Sequence, residues 1–115
     1  MTRQAVFYEN GEFDNGDPVA LIWRIASTSI GITLSALDQI VLVDATSASV
    51  TIALPAVASV PPGTWYAVKK TDATGHAVTV NPDGSETIDG NTTVQISVQH
   101  TTITIVSDGS QWHIV

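Results

Sequence analysis

The sequence contains no cysteine. Disulfide cross-links, thiol nucleophiles and cysteine-ligated zinc are thereby excluded, and the chain suits a reducing compartment without requiring one. Positive charge is nearly as scarce, with four Lys and Arg against eleven Asp and Glu and a formal net charge of −7. Phosphate recognition needs a basic stripe, so no nucleic-acid partner is expected. Charged residues of both signs make up only 13% of the chain while mean hydropathy is +0.22. That combination is unusual for a soluble monomer and points to oligomer or assembly contacts. Long apolar runs are missing too: no stretch approaches the roughly 20 residues of a membrane span, and residues 1–4 lead into no cleavable signal, so no membrane partner is expected.

Good helix formers are sparse, and no long stretch carries a 3.6-residue period. Valine (14), isoleucine (11) and threonine (15) instead supply 40 of the 115 residues. Their stiff, β-branched side chains fit a pleated sheet and lose rotamer freedom in a helix. The composition predicts an all-β protein, and the length allows one compact domain with or without an arm.

Residues 1–18 stand apart as an N-terminal arm, with Phe7, Tyr8 and Phe13 interleaved with acids, Asn and Gly. Such a segment is either a partly disordered terminus or an arm that orders against a partner, with the aromatics as anchors. Residues 19–115 form the β module. Residues 19–25 read as a strand buried on both faces, broken only by Arg24, and 30–34 as a short strand. Further strands are expected over 40–43, 49–54, 65–70, 76–80, 93–99, 101–106 and 111–115. Turn signals fall at 44–48, 72–75, 81–84, 88–91 and 107–110, and Pro55, Pro61 and Pro62 make 55–63 a loop. Short strands at this spacing predict an antiparallel β-sandwich or prism. Their polar faces carry Thr, Ser and Gln rather than Lys and Glu, which suits contact with another subunit and predicts a homotrimer.

Chemistry-bearing patterns are weak. His76, His100 and His113 fall on different expected strands without metal-ligand spacing. Asp83, Glu86 and Asp89 lie close together among turn residues, where acids commonly stabilise turns. No nucleophile elbow, phosphate loop or dinucleotide fingerprint occurs. No catalytic, cofactor-binding or metal-ligating residue is expected, and the chain reads as something other than an enzyme. Trp23, Trp65 and Trp112 could stack on sugar rings, although Trp65 and Trp112 follow Gly-containing turns, where an aromatic commonly plugs a β core.

Residues 41–47 (VLVDATS), 50–55 (VTIALP), 66–73 (YAVKKTDA), 78–82 (VTVNP), 86–90 (ETIDG) and 106–112 (VSDGSQW) together resemble a module that recurs in bacteriophage tail-fibre and other virion proteins. The resemblance covers residues 40–115. It implies a trimerising β-sandwich or prism that serves as an attachment or structural unit of a virus particle, and it carries over no catalytic residue. The short chain with its distinct arm favours a homotrimeric capsid decoration, or cement, protein. Such a protein would be made in the host cytoplasm and carried on the virion surface. Phe7, Tyr8 and Phe13 would dock on the major capsid protein, and the β module would hold three arms in register. The alternative is a tail-fibre or receptor-binding tip, with Trp65, Trp112, Asn81, Asp83 and Asn91 contacting host-surface glycan.

Overall fold

The computed structural model describes residues 24–115. The expected arm, with Phe7, Tyr8 and Phe13, lies outside the described residues, as do residues 19–23 of the first expected strand. Nine strands follow: β1 (Arg24–Thr28), β2 (Ile32–Thr33), β3 (Asp38–Val43), β4 (Val50–Ala53), β5 (Trp65–Lys70), β6 (Val78–Asn81), β7 (Val94–Ile96), β8 (Thr102–Ser107) and β9 (Trp112–Ile114), with a 3-10 turn at Val57–Ser59. The described residues are all-β apart from that turn.

The strands make a five-stranded sheet ordered β1-β3-β5-β8-β9 and a four-stranded sheet ordered β2-β4-β6-β7. Both are mixed, which corrects the expectation of an antiparallel sandwich. The ladders β1/β3, β3/β5, β2/β4 and β4/β6 are parallel, and only β5/β8, β6/β7 and β8/β9 are antiparallel. From β1 to β6 every connection crosses to the opposite sheet. A strand therefore meets its next neighbour in its own sheet running the same way, and the chain winds as three rungs of a two-sheet solenoid. The connection from β6 to β7 is the first to stay within one sheet, and from there the ladders reverse.

Two other expectations shift for the same reason. The strand expected over 93–99 stops at Ile96, because the chain must cross to the other sheet, and Val98 sits in that crossing 68% exposed. At Ile25 the buried-strand reading fails, since β1 is the outermost described strand of its sheet and this residue is 64% exposed.

Alternation along the strands places Val41, Val43, Tyr66, Val68 and Ile105 of one sheet against Val50, Ile52, Val78, Val80 and Ile96 of the other, all buried. These side chains form stacked rows, such as Ile52 beside Val80 and Val94 in the four-stranded sheet. Trp112 is fully buried and tilts against Tyr66 at a ring distance of 5.8 Å. Leu34 and Leu54 extend the core at the corners, each bonded through its backbone N–H to the neighbouring rung. Gly31 is small because it must be: a Cβ there would stand 2.9 Å from the Thr51 carbonyl oxygen of the next rung.

The turn at 88–91 forms where Asp89-Gly90 predicted it. Asp89 and Gly90 both have positive φ, +50° and +81°, and Ile88 and Asn91 exchange backbone hydrogen bonds of 2.9 and 2.8 Å. Consecutive positive φ is the requirement of a type I′ turn.

Candidate functional site

Side chains alternate across a strand, so each sheet also has an outer face. On the four-stranded sheet that face is polar and uncharged: Thr51 stands beside Thr79 and then Gln95, and Thr33 beside Ala53 and Asn81. The five-stranded sheet is different. One outward row runs Ile25, Ile40, Ala67, Thr104; the next Ser27, Leu42, Lys69, Thr102; a third Trp65, Val106, His113. Six of these eleven side chains are apolar, and none is an acid. No strand among the described residues lies over them.

The apolar content comes from β3 and β5, which are hydrophobic on both faces. Inward-facing Val41 and Val43 alternate with outward-facing Ile40 and Leu42, and Tyr66 and Val68 with Trp65 and Ala67. Such strands belong in a sheet covered on both sides. The outer residues Ile40, Leu42, Trp65, Ala67 and Val106 are half-buried, while Ile25 is exposed.

Electrostatic contacts flank this face. At one corner Arg24 reaches Asp38 Oδ1 at 2.7 Å, and Asp38 Oδ2 accepts the Ser35 N–H at 3.0 Å. Burial works to raise the Asp38 carboxyl, but the bonds from Ser35 and Arg24 hold it below its ordinary value. At another corner His113 Nε2 lies 2.7 Å from Asp108 Oδ2, with Asp89 Oδ1 3.5 Å from Nδ1. The Asp108 bond raises the imidazole pKa, helped by the charges of Asp108 and Asp89. Backbone N–H donation from Gln111, then His113 and the Ser110 N–H, lowers Asp108 to about 2. This cluster ties β9 to the turns at 88–91 and 107–110, and Asp89 Oδ1 also accepts the Ile114 N–H at 3.3 Å. Among the described residues no three His, Asp or Glu gather as metal ligands.

Polar groups are also buried in the interior. Tyr66 donates its hydroxyl to the Ser35 carbonyl at 2.9 Å, and burial followed by the Asp38 charge pushes its pKa up to about 12. Lys70, fully buried, meets Asp72 Oδ2 at 2.5 Å. Asp72 also accepts the Ala45 N–H at 2.7 Å, the Thr74 N–H at 3.0 Å and the Thr74 hydroxyl. Burial alone would raise this carboxyl, but those donors hold it far below the ordinary carboxylate range. The Lys70-Thr71-Asp72 segment thus locks two successive rungs at one corner. Arg24 and Lys70 pair within the chain, whereas Lys69 faces outward beside Leu42 and Thr102.

The residues singled out for glycan contact do not come together. Trp112 is a core residue at 0% exposure. Trp65 lies on the outer face of the five-stranded sheet and Asn81 on the outer face of the other. Asp83 and Asn91 are exposed in separate turns. Glu86 caps the 3-10 turn through the Val57 N–H, at 3.2 Å to either carboxylate oxygen. The apolar outer face was missed in the sequence; its signal was the unbroken run Ile40-Val41-Leu42-Val43, too apolar for a strand with one wet face.

No protein-family model matches the chain, and no curated protein matches it.

Proposed function

We propose that the protein is a structural component of a bacteriophage particle: a homotrimer that binds the outside of the capsid and stabilises it, with no catalytic role. The single observation that carries this reading is the apolar outer face of the five-stranded sheet, whose outward strand positions hold no acid, in a chain whose net charge is −7. A contiguous apolar sheet face marks a surface that packs against another segment or another chain. The resemblance of residues 40–115 to virion modules supplies the particle, and Phe7, Tyr8 and Phe13 supply anchors for the major capsid protein. Binding to the assembled shell stabilises it by mass action, and three linked arms raise avidity.

Light scattering on the purified chain, followed by co-sedimentation with empty capsids, tests both parts. The expected particle is about 36 kDa, three times 12.1 kDa, and it pellets with capsids. A monomer would refute the trimer. A trimer that stays in the supernatant would refute the capsid role and move the protein to the tail, where a glycan array becomes the next assay.

A further inference from the structure

The strand β9 is the last of the five-stranded sheet, and residues 87–89 run along its outer edge. The Trp112 N–H donates to the Thr87 carbonyl at 3.0 Å, and the Asp89 N–H donates to the Trp112 carbonyl at 3.0 Å. Covering an edge in this way hides backbone groups that would otherwise be open to another strand. The Asp89 side chain adds two contacts to the same strand. Its Oδ1 accepts the Ile114 N–H at 3.3 Å and lies 3.5 Å from His113 Nδ1. At the other nitrogen of the ring, Nε2 lies 2.7 Å from Asp108 Oδ2.

An imidazole with a carboxylate at each nitrogen can donate to both only when it carries two protons. The neutral ring has a single N–H. That proton belongs on Nε2, where the carboxylate is nearer, and the Nδ1 lone pair then faces the Asp89 oxygen and repels it. Asp108 is fixed within its own hairpin by the Ser110 and Gln111 N–H groups at 2.7 and 2.8 Å, so the contact that yields is the one to Asp89. No basic residue of the surrounding elements compensates. The strands β8 and β9 and the turns at 88–91 and 107–110 contain no Lys or Arg. On β5, Lys70 turns inward to Asp72, and Lys69 shares its row with Leu42 and Thr102, whereas His113 shares its row with Trp65 and Val106. Among the described residues the charged groups facing the ring are therefore Asp108 and Asp89.

We propose that His113 is a proton-operated latch: its protonated ring holds residues 87–89 against β9, and loss of one proton loosens that cover and opens the outer edge of the sheet while β8 and β9 stay paired. The latch lies within one chain and does not depend on the trimer or capsid reading.

Amide exchange on the full chain, read residue by residue by NMR and corrected for the intrinsic pH dependence of exchange, tests it. The pH is stepped from below the ordinary imidazole value of 6.5 upward through the titration of His113, which its own ring resonances follow. Protection of the Asp89 and Ile114 N–H groups should fall about threefold as the ring loses its proton, the scale of one exposed ion pair. The Val115 N–H, which bonds the Thr104 carbonyl of β8 at 2.9 Å, should keep its protection. Asp89→Asn should abolish the loss and lower the His113 midpoint; asparagine tolerates the positive φ of this position, so the turn survives. His113→Gln should give a level profile. Protection at Asp89 and Ile114 that stays level in the wild type, or a loss that persists in Asp89→Asn, would overturn the latch. A parallel loss at Val115 would overturn it too, because β9 would then be leaving as a whole.

Discussion

Trp112 offers a sharp energetic test because its two contributions oppose one another. The indole is fully buried against Tyr66, yet its Nε1 has no hydrogen-bond partner among the described residues. Replacing indole by phenyl removes roughly 40 Å³, worth about 1 kcal/mol at about 24 cal/mol per Å³ of cavity, and about 1 kcal/mol more in lost transfer free energy. The same change deletes a buried donor whose desolvation costs about 1–3 kcal/mol. Trp112→Phe should therefore lie within about 1 kcal/mol of wild type, whereas Trp112→Ala should cost about 3–5 kcal/mol. Urea unfolding followed by far-UV circular dichroism, at one fixed protein concentration because the proposed homotrimer would couple association to folding, separates the two. In thermal melts the alanine variant should fall by roughly 5 °C per kcal/mol. A Trp112→Phe loss of about 3 kcal/mol or more would refute the reasoning, since it would mean that the indole N–H is bonded in solution.

Asp72→Asn should lower the melting temperature more than Lys70→Met. Asparagine leaves the buried ammonium without a counter-charge and turns an amide N–H₂ toward donors from Ala45 or Thr74, while methionine fills the slot neutrally; equal losses would sink this account. The Asp108–His113 contact should give stability a pH window. Its Asp108 contribution is present above the unfolded value of 3.8 and is lost as pH falls toward about 2, and its His113 contribution is full below the unfolded value of 6.5 and is lost as pH rises through the raised folded pKa. Melting temperature against pH should lose its fall on the alkaline side in His113→Ala, and an unchanged profile would count against the contact. Gly31→Ala should open the first rung, because the added methyl meets the Thr51 carbonyl, and hydrogen exchange at the Leu34 N–H, which bonds Ala53, should accelerate. Protection equal to wild type there would show that the rungs slide apart without loss.

Strand positions were legible in the sequence because alternation and turn chemistry are local. Asp89-Gly90 formed the turn it announced, and Asp108 organised the 107–110 turn by accepting the Ser110 and Gln111 N–H groups. Strand direction was not legible. The segments 44–49 (DATSAS) and 71–77 (TDATGHA) carry the same kind of turn residues whether a chain doubles back or crosses to a second sheet, and only the two-sided hydrophobicity of β3 and β5 distinguished the parallel case. The outer face shared that fate: Ile40 and Leu42 read only as members of a strand until the register placed them opposite Ala67 and Lys69. Lys70 was equally opaque, since nothing in a Lys-Lys pair tells which ammonium turns inward toward Asp72 and which stays wet.

The antiparallel strands β7 and β8 cover β6 and β5, so the last rung is closed, while at the other end β1 and β2 have no further strand among the described residues. The parallel winding therefore ends at the antiparallel strands, whose outermost members are β7 and β9, and can be continued only beside β1 and β2. A rung measured from β3 to β5 takes 27 residues, from position 38 to position 65. Inserting one beside β1 would lengthen both sheets by about 4.8 Å and prolong every outward row by a single residue, leaving the capped end and the character of both faces as they were. In such an architecture, height is a variable that can be set independently of which face meets a neighbour.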